Sequence, residues 1–262
     1  MKIFLIDNKF FTEKNAKIPI TDELLRGYGV FETLKTYEKK PYQTKEHIKR
    51  LFLSAKKINL KINHTEEQII SMIRKVANKS SHKSQRIKVV ALKNQLIIIS
   101  EEQKIDKKIY KNGVHLKSML GKRELPEIKS ISYLLPFLSH ENAVRQNAFD
   151  ALLIDGKKQI YEGAYSNIFW VKNGKLHTRK NGVLPGITAK TVIRISPFKI
   201  NYKNISLDEL KKSEEVFLTS SIFVVVPVIQ IDNSKIGNGK PGTMTKQLIS
   251  AYGSAEKSLQ SE

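Results

Sequence analysis

The chain has 262 residues, 40% of them hydrophobic, which is enough for one large or two modest domains with a real core. It contains no cysteine, which excludes disulfides and thiolate metal sites and fits a reducing, cytoplasmic environment. The formal net charge of +21 comes from basic residues spread along the chain; no stripe alternates basic with aromatic residues, which disfavours nucleic-acid binding.

The N-terminal residues predict a strand and no targeting or membrane segment. Residues 2–6 favour an edge strand, and Asp7 ends the apolar run before it reaches the length of a signal-peptide core. No other apolar stretch approaches the length of a membrane span, so no membrane association is expected. Residues 30–37 alternate apolar and polar side chains, which predicts a half-buried strand.

Two helices and a hairpin are predicted next. Thr44 is the expected N-cap of the first helix, whose apolar residues recur on one face. Residues 65–68 have the composition of a second helix start. Two apolar runs, residues 86–92 and 96–99, flank the short turn 93–95 and therefore predict a β-hairpin.

A charged connector separates this part of the chain from the next. We place the boundary between residues 111 and 121, which gives a small N-terminal domain (1–115) and a larger C-terminal domain (116–262). The polar tail, residues 254–262, is expected to fray. The elements predicted for the second domain are strand 114–118, helix 134–147, strands 150–154, 159–162 and 167–171, helix 189–195 and strand 216–218.

Lys129 is the first candidate for a chemical role. Its neighbours Ile128, Ile131 and Tyr133 are unusually apolar for a lysine of this chain. A lysine that attacks an aldehyde must be deprotonated, and a desolvated pocket favours that form. The alternative is an exposed lysine at the end of a strand, which is the common situation for this residue type.

Glu162 is the second candidate. It follows Ile160 and Tyr161 and precedes Gly163, so it is expected where a strand ends. A carboxylate there can keep a pyridine nitrogen protonated, and a pyridoxal phosphate ring then accepts electrons from the α-carbon of a substrate. The alternative is a strand-end glutamate that faces water. Lys129 and Glu162 together would bind the two chemically active ends of that cofactor, its aldehyde and its pyridine nitrogen.

Three places have the composition of a phosphate site. A Pro-Gly pair leads into a predicted helix, whose first N–H groups, around Ile187 and Thr188, can hold an anion. Thr219, Ser220 and Ser221 follow a predicted strand and offer hydroxyl and N–H groups. Arg50 lies off the apolar face of its predicted helix, where it can chelate a phosphate. The structural alternatives are an ordinary helix entry, a capping loop and a surface arginine.

Signatures of other enzyme classes are missing from the sequence. It has no glycine-rich dinucleotide loop after a strand, no Gly-x4-Gly-Lys-[Ser/Thr] phosphate-binding loop and no Gly-x-Ser-x-Gly elbow. The six histidines are scattered and none forms a His-x3-His pair, so no metal site is expected.

Taken together and in this order, these motifs resemble the class IV aminotransferases, which are the fold-type IV pyridoxal-phosphate enzymes. That family includes branched-chain aminotransferase, D-amino-acid aminotransferase and aminodeoxychorismate lyase. The resemblance covers nearly the whole chain and implies an α+β fold of two α/β domains in the D-amino-acid aminotransferase-like architecture. It also implies pyridoxal 5'-phosphate between the domains and a homodimer. The matching segments are residues 27–33, 46–51, 128–130, 162–169, 184–188, 227–228 and 239–242.

The resemblance assigns roles to the candidate residues. Lys129 would bind the cofactor covalently and then move the proton between the substrate α-carbon and the cofactor C4′. Glu162 would pair with the pyridine nitrogen, and Tyr133 would hydrogen-bond near the ring O3′. The residues implied for the phosphate are Arg50, Ile187, Thr188, Ser220 and Ser221; those implied for the substrate pocket are Tyr28 and Phe31.

The chain departs from the family in two places. Ala189 stands where the family often has an arginine after Gly-Ile-Thr. The turn after the first-domain hairpin strand carries no arginine, although many members bind the substrate carboxylate with a longer segment there. Arg26 or a residue of a partner subunit is the candidate replacement.

The leading hypothesis is therefore a pyridoxal-phosphate aminotransferase that moves an amino group between an amino acid, of the branched-chain or D-amino acid class, and a 2-oxo acid. The alternative within the family is aminodeoxychorismate lyase, which produces 4-aminobenzoate and pyruvate. A third hypothesis of another class is a non-catalytic basic protein that binds nucleic acid. Its binding would collapse steeply with added salt, whereas retention of a buried cofactor would not.

Overall fold

The computed structural model describes residues 2–258, and the chain forms two compact units. The first unit comprises the residues up to Ile105 together with Ile128–Tyr133. The second comprises Asp106–Glu127 and the residues from Leu134 onward. This division is discontinuous, whereas the domains predicted as 1–115 and 116–262 meet at one cut. The reason is that residues 128–133 form backbone hydrogen bonds with a strand of the first unit.

The first unit is one antiparallel sheet with two long helices packed on it. The described strands form a six-stranded sheet in the order β2-β1-β6-β5-β3-β4. The elements are β1 (Ile3–Ile6), β2 (Lys9–Thr12), α1 (Asp22–Leu25), β3 (Gly29–Tyr37), β4 (Lys40–Pro41), α2 (Thr44–Lys57), α3 (Glu66–Lys79), β5 (Gln85–Leu92) and β6 (Gln95–Glu102). The apolar faces of α2 and α3 close a core against the sheet, as amphipathic helices do.

The first strand is not at the edge of this sheet. β1 pairs with β6 on one side and with β2 on the other, so the prediction of an edge strand was wrong. The turn between β1 and β2 is made by Asp7 and Asn8, which both adopt positive φ angles. Asn and Asp tolerate that conformation better than most residues, which lets the chain reverse within two residues.

The predicted helices and hairpin are present with small shifts. α2 begins at Thr44, and its N-cap is Gln43, so the predicted cap was one residue late. Thr65 caps α3 and forms a reciprocal capping box with Gln68. In the β5–β6 hairpin Leu92 is already paired with Gln95, so the turn consists of two residues rather than three.

The second unit is a mixed sheet flanked by helices. The described strands form a nine-stranded sheet in the order β12-β11-β10-β13-β14-β7-β8-β9, with β15 paired to β14. The elements are α4 (Lys108–Asn112), β7 (Val114–Leu120), α5 (Leu134–Arg145), β8 (Asp150–Ile154), β9 (Ile160–Gly163), β10 (Asn167–Lys172), β11 (Lys175–Thr178), α6 (Ile187–Ile195), β12 (Ile200–Tyr202), α7 (Leu207–Leu210), β13 (Glu215–Ser220), β14 (Val224–Ile231), β15 (Ser234–Lys235) and α8 (Thr243–Ser258). Trp170 and the apolar residues of β13 and β14 form its core.

The C-terminal part of the second unit differs from the prediction. Residues 254–258, expected to fray, continue helix α8, in which Tyr252 is buried. The remaining predicted tail residues, 259–262, lie outside the described residues. The α+β class is confirmed, because helices and sheets are mixed throughout both units. Among residues 2–258, no helix is both long enough and apolar enough to cross a membrane.

Candidate active site

Lys129 belongs to the first unit, where its segment runs beside β3. The N–H of Phe31 donates to the Lys129 carbonyl at 2.8 Å, and Val30 and Ser130 form an antiparallel bridge. These bonds fix the backbone of Lys129. Its Nζ lies 4.5 Å from the centroid of the Phe31 ring and 5.8 Å from that of Tyr133. The lysine predicted to be reactive therefore lies beside two aromatic rings.

The two aromatic residues near Lys129 also contact each other. The rings of Phe31 and Tyr133 pack edge to face with centroids 5.2 Å apart, a favourable arrangement of aromatic quadrupoles. Within the first unit the structure thus brings together three of the predicted site residues: Lys129, Phe31 and Tyr133.

Glu32 is fully buried on β3 and is bound by two residues of α2. Arg50 Nε donates to Glu32 Oε1 at 2.6 Å, and Arg50 Nη2 donates to Oε2 at 2.8 Å. His47 Nδ1 lies 2.7 Å from Oε2. Arg50 and His47 are one turn apart on the helix, so both side chains reach the same carboxylate. Arg50 was expected to project away from the core; it is buried because Glu32 faces α2.

Charge and burial compete in this cluster. Burial alone would raise the pKa of Glu32, but the charge and hydrogen bonds of Arg50 hold that pKa far below its usual range. Burial lowers the pKa of His47, although the Glu32 carboxylate opposes that change. The cluster is therefore an ionised Glu32–Arg50 pair with a neutral histidine on its second oxygen. The half-buried strand predicted for residues 30–37 is in fact largely buried: this cluster covers Glu32, and Thr36 accepts from the N–H of Gln85 at 3.0 Å.

The two other residues predicted for the substrate side lie at the N-terminal end of β3. The Tyr28 hydroxyl donates to the carbonyl of Ile58 at 3.0 Å, and the ring packs against the core of the first unit. Arg26 is exposed and lies 3.9 Å from Asp22 across one helical turn. Neither contact positions these residues beside Lys129.

Glu162 lies on β9 of the second unit and is buried. Arg123 Nη1 donates to Glu162 Oε1 at 3.2 Å, and the N–H of Leu184 donates to Oε2 at 2.9 Å. The side chains of Glu162 and Arg123 are only 5% and 10% exposed. The alternative of a water-facing glutamate at a strand end is excluded by this burial.

The turn after Glu162 is held by Asp150. One oxygen of this buried carboxylate accepts from its neighbour's N–H and lies 3.0 Å from His140 Nδ1, and the other accepts from Ser166 Oγ at 3.2 Å. A Cβ added to Gly163 would collide with the Ser166 hydroxyl, so glycine is required there. The Glu-Gly-Ala-Tyr-Ser-Asn segment therefore folds into a compact turn that fixes the end of β9.

The predicted anion site at Ile187 and Thr188 is the first turn of α6. The helix begins at Ile187, two residues earlier than predicted, with Gly186 as its N-cap. Asn167 Nδ2 donates to the Leu184 carbonyl at 2.8 Å, and a Cβ on Gly186 would collide with the Asn167 side chain. The helix start is thus held against β10, and its first N–H groups carry the positive end of the helix dipole.

The residues at the end of β13 include an unsatisfied hydroxyl. Thr219 is buried, and its Oγ1 has no hydrogen-bond partner among the described residues. The next residue, Ser220, accepts through Oγ from the N–H of Phe223 at 3.2 Å, and Ser220 and Ser221 are half-buried. A buried hydroxyl without a partner is uncommon and indicates a position where a ligand oxygen can complete the hydrogen bonding.

Three residues of these clusters were not among the predicted candidates. Glu32 stands in an alternating strand, where a polar side chain is expected to face water. His47 lies three residues before Arg50, and this helical spacing toward a strand glutamate was the available signal. Arg123 is one of 46 basic residues, and nothing in the local sequence distinguishes it.

Comparison with known proteins gives a family. The sequence profile of the amino-transferase class IV family matches residues 29–231. A putative branched-chain-amino-acid aminotransferase of Methanocaldococcus jannaschii is 31% identical over 271 residues, covering 95% of this chain and 94% of that protein. A D-alanine aminotransferase of Staphylococcus haemolyticus is 30% identical over 278 residues and covers 96% of both chains.

The fold agrees with the sequence match. The crystal structure of a branched-chain amino acid aminotransferase (T.th.) with pyridoxamine 5'-phosphate superposes with a TM-score of 0.89 at 26% identity. The superposition covers 97% of this chain and 93% of that one. The expected architecture of this family is therefore confirmed.

Proposed function

Because this chain belongs to the class IV aminotransferase family, and is thus an enzyme, we propose that it transfers an amino group between an amino acid and a 2-oxo acid with pyridoxal 5'-phosphate. We propose an amino donor of the branched-chain or D-amino acid class. Relatives with names of both kinds support this choice about equally, at 31% and 30% identity.

The observation that carries the cofactor proposal is the burial of Glu162 beside Arg123. A carboxylate kept inside a protein needs a charged partner, and this one lies on the strand end where the pyridine nitrogen is expected to pair. The unsatisfied Thr219 hydroxyl and the dipole of α6 are chemically suited to a phosphate. These residues fit pyridoxal phosphate, which supplies an electron sink for the substrate α-carbon when it is bound.

Lys129, Glu162 and Tyr133 have different roles in the proposed reaction. Lys129 Nζ is the proposed point of covalent attachment and the group that removes and returns the α-proton. The backbone bond from Phe31 fixes the position of Lys129, and its Nζ lies beside the rings of Phe31 and Tyr133. Glu162 holds a proton on the ring nitrogen, and Tyr133 is proposed to donate a hydrogen bond near O3′.

The phosphate is proposed to be bound by the first N–H groups of α6, at Ile187 and Thr188, and by Ser220 and Ser221. Arg50 was assigned the same role, and its guanidinium is held in a fixed orientation by Glu32. A guanidinium fixed in this way is pre-organised, because little side-chain entropy remains to be lost on binding.

The substrate side is proposed to include Phe31 and Tyr28. Arg26, on the exposed C-terminal side of α1, stays the candidate for the substrate carboxylate. A cytoplasmic location is proposed as well, which the absence of cysteine supports.

We further propose a homodimer. Helix α5 exposes apolar side chains that a monomer would leave in water, namely Leu134, Phe137, Leu138 and Val144. Large exposed apolar side chains clustered on one helix are typical of surfaces that bind another subunit. Sedimentation of the purified protein at several concentrations measures the stoichiometry, and a monomer at all of them would contradict this proposal.

The test of the function is the visible spectrum of the protein with pyridoxal phosphate during titration with single amino acids of each hand. We expect the absorbance band of the lysine-bound cofactor to disappear with L-leucine or with D-alanine, and the responding amino acid gives the donor class. A band that no simple amino acid removes would favour the lyase activity, and the absence of any band would contradict the cofactor assignment.

A further inference from the structure

Arg123 is a nearly buried cation that has no role in the function proposed above. It lies in residues 121–127, which connect β7 to the Lys129 segment and belong to the second unit up to Glu127. Its Nη1 donates to Glu162 Oε1 at 3.2 Å, while the Leu184 N–H donates to Oε2 at 2.9 Å. Each carboxylate oxygen of Glu162 therefore receives a hydrogen bond from a different part of the second unit.

Stability alone is a weak reason for this pair. Removing two charges from water is costly, and buried ion pairs are often no more stabilising than apolar residues of the same size. Arg123 is also unusual in this chain, because it is 10% exposed in a protein that carries a net charge of +21. The Arg123 guanidinium bonds to the carboxylate that is proposed to pair with the cofactor, and it therefore changes the basicity of that carboxylate.

The electrostatic effect of the pair has a definite direction. A buried carboxylate without a counter-charge prefers its protonated, neutral form. A guanidinium within hydrogen-bond distance favours the ionised form and makes the carboxylate a weaker base. A proton shared between such a carboxylate and a pyridine nitrogen then resides on the nitrogen.

We propose that Arg123 is a positioning residue that keeps Glu162 ionised and thereby keeps the ring nitrogen of bound pyridoxal phosphate protonated. This inference rests on the proposed function. Arg123 acts through its hydrogen bond to Glu162, and without it the proton moves from the ring nitrogen to the carboxylate, which weakens the electron sink.

The direct readout is the ¹⁵N chemical shift of ring-labelled pyridoxal phosphate bound to the protein, followed between pH 6 and pH 9. We expect a protonated nitrogen in the unaltered protein and an unprotonated nitrogen in Arg123→Gln at neutral pH. Arg123→Lys keeps a positive charge without the planar fork, so its nitrogen should titrate between these two cases.

Arg179→Gln is the matched control. Arg179 stacks on Tyr161, the neighbour of Glu162, at 3.8 Å from the ring centroid. The hydrogen bonds described for it go to the backbone carbonyls of Ile160 and Asn181. Its removal disturbs the same strand without changing the charge on Glu162, so the nitrogen should stay protonated.

The outcomes separate the two proposals. Failure of the unaltered protein to bind pyridoxal phosphate would overturn the proposed function itself. Binding with a protonated nitrogen in Arg123→Gln, as in the unaltered protein, would overturn only the role of Arg123. If Arg123→Gln does not fold, the test is the ¹⁵N shift in Arg123→Lys at neutral pH: a displacement from the protonated toward the unprotonated value supports the role, and an unchanged shift contradicts it.

Discussion

Both units bury a glutamate against an arginine, and the surroundings of the two carboxylates differ. Glu32 is held by two nitrogens of Arg50 and by His47, all from one helix. Glu162 accepts a hydrogen bond from Arg123 and another from a backbone N–H of the same unit. The unit that contains Glu162 also carries the unpaired hydroxyl of Thr219. The same kind of ion pair therefore fixes a helix on a sheet in one unit and, in our proposal, tunes a carboxylate for a ligand in the other.

The largest expected effect is the loss of Lys129, the lysine of the first unit for which we propose the chemical role. Lys129→Ala should abolish the cofactor absorbance band and lower turnover by about 10⁴-fold or more, because attachment and proton transfer both use Nζ. Lys88→Ala is the matched control, since Lys88 Nζ lies 5.3 Å from the centroid of the same Phe31 ring. Lys88→Ala should retain the band. Turnover that is retained in Lys129→Ala would contradict the chemical role proposed for Lys129.

The next effect compares the two glutamates directly. Glu32→Gln leaves the buried Arg50 charge without its partner and should decrease the free energy of unfolding by about 3–5 kcal/mol. Glu162→Gln should cost about 1–3 kcal/mol, because a glutamine oxygen can still accept from the neutral Leu184 N–H, while turnover falls much more. Urea denaturation and steady-state kinetics of both variants measure this contrast. If Glu32→Gln and Glu162→Gln lost stability and activity to the same extent, the proposed difference between the two clusters would be contradicted.

The Glu32 cluster also predicts a dependence of stability on pH. Because the folded pKa of His47 is below its ordinary value of 6.5, the unfolded chain takes up a proton first as the pH falls. The free energy of unfolding should decrease by about 1.4 kcal/mol per pH unit below that value, within the window of the shift. The depressed pKa of Glu32 adds a loss only when the pH falls below its ordinary value of 4.5.

Denaturation between pH 5 and pH 7.5 measures this slope. The charged neighbours of His47 are Glu32, Arg50 and Lys129, and all three act on its titration. His47→Gln should decrease the slope, and the part that remains is expected from His177, whose pKa is also lowered by burial. His115→Gln, at an exposed position of β7, should leave the slope unchanged. An unchanged slope in His47→Gln would assign the pH dependence to other groups.

The smallest effect concerns the Thr219 hydroxyl, which is buried without a partner among the described residues. Thr219→Val replaces a buried group without a described partner by a methyl group and should leave the stability of the cofactor-free protein unchanged or raise it by about 1 kcal/mol. Its control, Thr191→Val, removes a hydroxyl that donates to the Ile187 carbonyl at 3.1 Å and should destabilise by about the same amount. Thermal unfolding of both variants gives the comparison, and a clear destabilisation by Thr219→Val would show that this hydroxyl is satisfied.

The parts of the fold that depend on local sequence patterns were predictable from the sequence. The capping box at Thr65, the β5–β6 hairpin and helix α5 follow from propensity and periodicity, and the structure has them. The two-residue turn at Asp7 and Asn8 carried a usable signal as well, yet strand β2 was missed. Its residues Lys9–Thr12 are too few and too exposed to form a recognisable pattern.

The site was only partly predictable for a different reason. Lys129 and Glu162 stand in recognisable segments, because their neighbours signal strand ends. The segment around Glu32 gives no such signal, because its alternating pattern predicts half-exposed side chains. Glu32 is buried by its contact with Arg50 of α2. The role of Arg123 depends on a partner 39 residues away in the chain, and no local rule reports such a pairing.

The discontinuity of the first unit has a consequence for how the chain can fold during synthesis. The N–H of Phe31 has its acceptor at Lys129, nearly a hundred residues later, so this edge of β3 stays open until that part of the chain has left the ribosome. A truncated chain that ends at residue 115 would expose the unpaired edge, which is a template for aggregation. The segment that carries Lys129 therefore also closes the sheet, and the first unit of a nascent chain is protected from self-association at the moment when it acquires that segment.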